Sequence, residues 1–366
     1  MKIAANDLKR QYSLYAEEYE SAALTCLRSG WYVMGPMLQN FEQKWAEYVG
    51  TQYCVGVASG LDALWMAFRL LGIGTGDEVI VAANAYIACV MGITINGAIP
   101  VFVEPDQYFQ IDSEKIEEKI TSKTKAILAV HLFGQSCNMT EVMNIAKQYS
   151  LKVVEDCAQS HGNHWMNQRT GSFGDISCFS FYPTKGCGAF GDGGCIVTND
   201  ADLAKNAKIL RNYGSDKKYH NKIVGSNSRL DELQAALLTV KLAHLDELNA
   251  QRCQLADRYS REIKNSSINM PKIRMGADST WHQYVLRVRQ RARFIDFLQQ
   301  YGVETMIHYP VPPHLSEAYQ HLGYKKGDFP ITEEQAEEVV SIPIYNGMTQ
   351  IEQSYVIDVI NAYENC

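Results

Sequence analysis

An α/β fold built on a mostly parallel sheet is the architecture this sequence predicts, and three observations carry it. Short apolar runs alternate with amphipathic segments, and residues with chemistry gather just past the ends of those runs. The chain's 366 residues also exceed the roughly 250–300 at which one core stops growing. The length therefore predicts two domains, drawn here at 1–245 and 246–366.

In order, strands are expected at Tyr53–Val57, Glu78–Val81, Val101–Val103, Ile127–Val130, Lys152–Glu155, Ser177–Ser180 and Cys195–Thr198. Helices are expected between them at Leu61–Leu71, Tyr86–Asn96, Glu114–Ile120, Met139–Tyr149 and Leu203–Arg211. Each is long enough to lay one face on the sheet. From Ser228 an apolar stripe of Leu230, Leu233, Leu237, Val240, Leu245 and Leu248 predicts one long helix reaching toward Ile263 and linking the domains. Beyond it, a strand at Gln283–Val288 and helices at Phe294–Tyr301, Thr332–Val340 and Gln353–Tyr363 make a mixed α+β set.

Composition removes several function classes. With 46% hydrophobic and 20% charged residues, the chain is predicted to be folded and soluble. Its 34 basic and 41 acidic residues give a net charge of −7 without a dense Lys/Arg cluster, so neither nucleic acid nor an anionic membrane is an expected partner. Residues 79–103 carry no charge, a length that would span a bilayer. Asn84, Gly92, Asn96, Gly97 and Pro100 interrupt that stretch, so strand, helix and strand is the better reading. Ten singly scattered cysteines and an N-terminus without an apolar core predict a reducing, cytoplasmic setting.

Five segments carry candidate chemistry. In Ala58-Ser-Gly-Leu-Asp-Ala-Leu64 a strand gives way to a helix whose Gly60 and Leu61 amides suit a phosphate. An ordinary helix start capped by Ser59 or Asp62 accounts for the same residues. In Val153-Val-Glu-Asp-Cys-Ala-Gln-Ser-His-Gly162 an apolar strand delivers Asp156, then Gln159 and His161, at the sheet edge where α/β folds bind ligands. A carboxylate buried there needs a cation, unless Asp156 is a helix cap or in a local salt bridge. Cys157, His161 and His164 have a spacing that metals use, but no further Cys/His pair completes it and no metal is expected.

The third segment, Ser177 to Thr198, holds Gly186-x-Gly188-x-x-Gly191, formally a dinucleotide fingerprint. Those glycines run into a strand rather than a helix, and Arg211 stands where the acid is needed. What remains is Lys185, a lone cation in a glycine-rich loop, suited to act as an amine nucleophile unless it is a surface lysine. Fourth, Gly225-Ser-Asn-Ser-Arg enters the long helix, with Asn227 or Ser228 as its cap or Asn227 as a donor to a ligand. Fifth, Pro310, Pro312 and Pro313 hold His308 and Tyr309 in extended chain, as a ligand wall or simply a rigid turn.

In this order, SGLDAL, NAYIA, VVEDCAQSHG, SFYPTKGCGAFGDGG, GSNSRLDELQAA and IHYPVPPHL resemble the DegT/DnrJ/EryC1/StrS family of nucleotide-sugar aminotransferases. The resemblance covers nearly the whole chain. It implies a fold-type-I architecture like aspartate aminotransferase, with pyridoxal 5′-phosphate as cofactor. It further implies that Lys185 binds the cofactor covalently, Asp156 pairs with the pyridinium nitrogen, Gln159 holds the phenolic oxygen and Tyr86 stacks on the ring. Phosphate would sit on Gly60, Leu61 and Ser180, joined by Asn227 from the second subunit of a homodimer with shared sites. Two departures stand out: Leu61 replaces a frequent Thr, which removes a hydroxyl contact to phosphate, and Gly186-Cys187 replaces Asn-Leu.

Tyr182 and the His308-Tyr309-Pro310 segment are most similar to enzymes that aminate C3 of dTDP-3-keto-6-deoxyhexoses, with L-glutamate the expected donor. Tyr182, His308 and Tyr309 would grip the sugar or its pyrophosphate, and Arg229 would meet a phosphate or the donor's carboxylate. The competing readings are a C4 aminotransferase acting on a 4-keto sugar, a nicotinamide-dependent sugar oxidoreductase and a non-catalytic regulator. Sugar dehydratases of this fold carry histidine where this chain has Lys185, which argues against that activity.

Overall fold

A computed structural model describes residues 1–364. Across its central sheet the strands run Tyr53–Val57, Gly194–Thr198, Ile176–Ser180, Lys152–Asp156, Thr124–Val130, Glu78–Ala82 and Ile99–Val103. The five strands from Ile176–Ser180 to Ile99–Val103 pair in parallel, whereas Gly194–Thr198 joins its two neighbours antiparallel. These strands are near-continuous apolar runs because helices cover both faces. Val79, Ile80, Val81, Ile127, Leu128 and Val154 are accordingly all fully buried.

Local sequence signals start the helices where packing needs them. Ser59 caps Gly60–Leu70 by accepting from the Asp62 amide, Asn138 caps Met139–Tyr149, and Asp200 caps Ala201–Leu210. The uncharged 79–103 stretch resolves into strand, the short helix Ile87–Thr94 and strand. Among the described residues no helix is long and apolar enough to cross a membrane.

Three expectations are corrected. Glu114–Ile120 is two 3-10 turns, Ser113–Lys115 and Glu117–Lys119, because its run of Glu and Lys offers little apolar stripe to hold an α-helix. The long linking helix starts at Glu232 and breaks at His244, giving Glu232–Ala243 and Leu245–Glu262. His244 stacks on Tyr15 at 3.8 Å and bonds Glu18, contacts that hold it out of helical geometry. The Thr332–Val340 helix instead spans Pro330–Glu338, and its last expected residues open the strand Val339–Ile342.

That strand pairs antiparallel with Tyr284–Arg287. Around the pair, a second apolar core gathers Tyr259, Phe294, Leu298, Val356 and Ile360, together with Ile3 from the start of the chain. The two cores meet at the sheet's C-terminal edge. There Glu104 accepts from the Ile331 and Thr332 amides, and Arg274 is paired with Asp106.

Candidate active site

Several strands and loops end on one cavity of about 710 Å³. Its floor takes Asp156 from the end of one parallel strand and Ser180 from the end of the next, with Gly60 and Leu61 from the first turn of the helix capped by Ser59. A Cβ on Gly60 would lie 2.5 Å from Ser180 Cβ, so only glycine lets the helix start press against the strand end. The first amides of that helix have no acceptor within it, which makes them available to an anion.

Lys185 enters from a loop tied at both ends. Its own amide donates to Tyr182 O, Ala189 N donates to Phe181 O, and Cys187 N donates to His161 Nδ1. Burial brings the amine down from its ordinary value to about 8, with the charge of Asp156 opposing the fall. An amine in that range sheds its proton readily, as a nucleophile must.

Asp156 is 6% exposed. Its Oδ1 accepts from Ala158 N and its Oδ2 from the Cys89 thiol, each at 3.0 Å, and no ion pair reaches it among the described residues. Two neutral donors leave a buried carboxylate facing the cavity and still short of a cation.

The upper wall brings in Tyr86, which precedes the helix Ile87–Thr94, and Tyr309, whose ring lies 4.8 Å from it. Gln159 is already engaged, for its Oε1 accepts from Phe133 N at 2.7 Å and its Nε2 donates to Tyr309 OH at 3.0 Å. One N–H of its amide is left for a ligand. Burial pushes the Tyr309 phenol up and His308 down to about 4, so both are neutral near pH 7. Tyr182 also lines the cavity, half exposed at its mouth.

Two expected residues are not brought together with these. Asn227 is exposed and pairs through its backbone with Asn212, away from the cavity of its own chain. Arg229 does not reach the cavity either, since its guanidinium donates to Asn212 Oδ1 at 3.1 Å and sits over Tyr213. Nor does Asn227 or Ser228 cap the helix: Asp231 holds that position, and the Ser228 hydroxyl donates to Asp62 instead.

The Cys157, His161 and His164 spacing also separates. His161 supports the Lys185 loop, and burial drives it down to about 3. His164 pairs with Asp278. Cys157 lies instead beside His131 and Glu155. That group is already satisfied: Glu155 accepts from Gly171 N, Phe173 N, Gly174 N, Ser177 Oγ and His131 Nε2, while His131 Nδ1 accepts from Cys137 N. The loop Gly186–Gly191 leads into the strand Gly194–Thr198, so no helix follows to take a dinucleotide.

Cys89, His282, Gln283 and Ser341 are the site residues that sequence reasoning passed over. In the sequence Cys89 reads as core in an apolar helix, and His282 as the edge of a strand. A histidine at the mouth of an apolar strand, in a chain with nine histidines, was the available signal.

A parallel sheet whose strand ends set a lysine amine against a buried carboxylate, beside a helix start suited to phosphate, defines a fold-type-I aminotransferase. The profile of the DegT/DnrJ/EryC1/StrS aminotransferase family matches residues 14–361, and the chain belongs to that family. It is 50% identical over 358 residues to the dTDP-3-amino-3,6-dideoxy-alpha-D-galactopyranose transaminase of Aneurinibacillus thermoaerophilus, covering 98% of each chain. It is similar to the solved structure of Streptomyces venezuelae DesV, with a TM-score of 0.96, 41% identity and 98% of each chain covered. NtdA from Bacillus subtilis, solved with bound pyridoxamine phosphate, gives a TM-score of 0.90 at 31% identity, covering 98% of this chain and 84% of the other.

The enzyme is thus a pyridoxal-phosphate-dependent nucleotide-sugar aminotransferase. The cavity fits that cofactor on its own terms. It offers a carboxylate lacking a cation, an amine of lowered pKa and a glycine cradle that a side chain would fill.

Proposed function

We propose that this enzyme moves an amino group from an amino acid, L-glutamate the expected donor, to C3 of a dTDP-3-keto-6-deoxyhexose. The observation that carries the chemistry is the Lys185 amine, brought to about 8 inside the cavity that Asp156 floors. The likeness to the Aneurinibacillus transaminase supports C3 and a 6-deoxyhexose as the target.

Bound pyridoxal phosphate supplies the electron sink for the carbanion left when a substrate carbon loses its proton. Asp156 would hold the pyridinium side of the site negative, Tyr86 would pack on the ring face, and Gln159 would offer its remaining N–H to the ring. Gly60, Leu61 and Ser180 take the phosphate. Lys185 Nζ carries the proton to and from the substrate carbon. Tyr182, His308 and Tyr309 address the sugar. Asn227 reaches the neighbouring site of a homodimer, consistent with its exposure and its place outside the lining of its own cavity. Arg229 stands on that same segment and would act across the dimer. The domain boundary is drawn near the helix break at His244, and nine free cysteines among the described residues support a cytoplasmic setting.

The test is amination of a panel of 3-keto and 4-keto nucleotide sugars, read by product mass and regiochemistry. Turnover confined to 3-keto dTDP-hexoses is expected, and preference for a 4-keto sugar overturns the assignment.

A further inference from the structure

His282 lines the same cavity from the C-terminal region, and with its neighbour Gln283 it brings a buried polar atom without a partner into that wall. It is 9% exposed, and neither ring nitrogen has a hydrogen-bond partner among the described residues; Nδ1 is buried outright. Its neighbour in the wall, His308, has Nδ1 engaged with Ser341 Oγ at 2.8 Å. Leaving a buried imidazole unpaired costs about 1–3 kcal/mol, and an unpaired ring on a cavity wall is free to take a partner from a bound molecule.

The backbone around the ring is held in place. Arg252 Nε donates to Trp281 O at 2.9 Å and its Nη2 to His282 O at 2.6 Å. From the other side, Thr280 N donates to Gly134 O at 3.0 Å. Gly134 has a φ of +101°, and a Cβ there would stand 2.8 Å from His282 N, so glycine lets the two segments close up. The same loop engages Gln159 through Phe133 N. A backbone held from both regions of the molecule sets where the ring enters the cavity.

We propose that His282 is a specificity residue that reads a hydroxyl of the hexose, a role that rests on the sugar-aminating activity proposed above. Burial, with Lys185, Arg252, His308 and His161 nearby, pushes the imidazole well below its ordinary value, so it is neutral at working pH. A neutral imidazole has one N–H and one lone pair. A hydroxyl can both donate and accept, so it suits the ring in either tautomer. Diphosphate and the donor's carboxylate only accept, and they match a cation better than a neutral ring.

The test compares wild type with His282→Phe, which keeps the ring's bulk without its nitrogens, and His282→Gln, which restores a donor and an acceptor. Calorimetric titrations of the pyridoxamine-loaded enzyme use dTDP and dTDP-6-deoxygalactose, and the reaction with L-glutamate is followed separately by cofactor absorbance. His282→Phe is expected to weaken dTDP-6-deoxygalactose about tenfold, to leave dTDP within about twofold and to leave the L-glutamate reaction unchanged. His282→Gln recovers part of the loss. Equal weakening of both nucleotides assigns His282 to the nucleotide or diphosphate and overturns the proposal, as does unchanged binding of the 6-deoxygalactose probe. A slowed L-glutamate reaction alone places it with the donor and also overturns it. If His282→Phe does not fold, His282→Gln decides: binding of the sugar probe weaker than wild type with dTDP unchanged supports the role, and no difference rejects it. Wild-type turnover on the keto-sugar panel tests the underlying activity independently of either variant.

Discussion

Glu155 and Asp156 are neighbours in one strand, both acidic and both buried, yet the protein treats them in opposite ways. On one face Glu155 is enclosed by five donors: three amides, a serine hydroxyl and a histidine ring. On the other Asp156 receives one amide and one thiol. The first arrangement completes a carboxylate and leaves it nothing to do except hold the turn at 171–174 to the strand. The second leaves a carboxylate incomplete toward a cavity, the state in which it can pair with a cationic ring. Burial and charge alone do not tell the two acids apart; the count of their donors does.

The largest effect expected concerns the amine that faces Asp156. Lys185→Ala should lower turnover by about 10⁴-fold or more, since on the proposed roles the variant loses both covalent attachment and the proton carrier. The purified variant should also lack the visible absorbance of the lysine-bound cofactor. Wild-type absorbance in that variant would mean that another group holds the cofactor.

Next, the two acids should separate activity from stability. Asp156→Asn removes the charge proposed to face the pyridinium and should cost about 3–5 kcal/mol, roughly two to four powers of ten in kcat/KM. Without cofactor its unfolding midpoint should stay level or rise, because an unpaired buried charge has gone. Glu155→Gln should do the reverse. An amide set against three backbone N–H groups should lower stability by about 3 kcal/mol or more, while the folded fraction keeps turnover near wild type. If both variants lose the same property, the contrast between the faces is wrong.

Acid should expose the same difference. Burial pushes Glu155 up, but the His131 hydrogen bond and the Gly171 and Gly174 amides outweigh it and hold the carboxyl below its ordinary value. Its folded pKa is therefore depressed, and the stability it contributes is complete above the unfolded value of about 4.3. That stability is lost as pH falls through the folded value. His161 adds a fall that begins earlier. Between the unfolded value of about 6.5 and its folded value of about 3, the unfolded chain binds a proton that the folded one refuses. Wild-type stability should thus drop from pH 6 downward, and Glu155→Gln should flatten its lowest part. An unchanged acid limb in that variant would remove Glu155 from the account.

Much of this was legible in the sequence, for reasons the contrast makes clear. Strands covered on both faces must be apolar throughout, so all seven sheet strands stood out, and an acid at the end of such a run drew attention to Asp156. The glycine-rich loop exposed Lys185 in the same way. Contacts distant in sequence were not legible. Asp156 and Cys89 are 67 residues apart, and nothing local distinguishes that thiol from the apolar residues around it. The break at His244 depends on Tyr15 and Glu18, more than two hundred residues upstream. Residue pattern reports the faces of single elements, and these features belong to pairs of them.

The smallest effect expected is at Cys89, which compares with Ser177 across the strand: each side chain donates to one of the two acids at 3.0 Å. A thiol is the weaker donor, and the charge of Asp156 together with burial keeps Cys89 protonated and in the donor role. Cys89→Ala should therefore cost only about two- to fivefold in kcat, with the affinity for L-glutamate unchanged. Cys89→Ser, which puts a serine beside Asp156 as Ser177 stands beside Glu155, should keep turnover within about threefold and restore most of what alanine loses. A serine variant as slow as the alanine variant would show that the volume of sulfur, rather than its hydrogen bond, matters there. A cost approaching that of Asp156→Asn would mean that the thiol, and not the missing cation, decides how Asp156 is held.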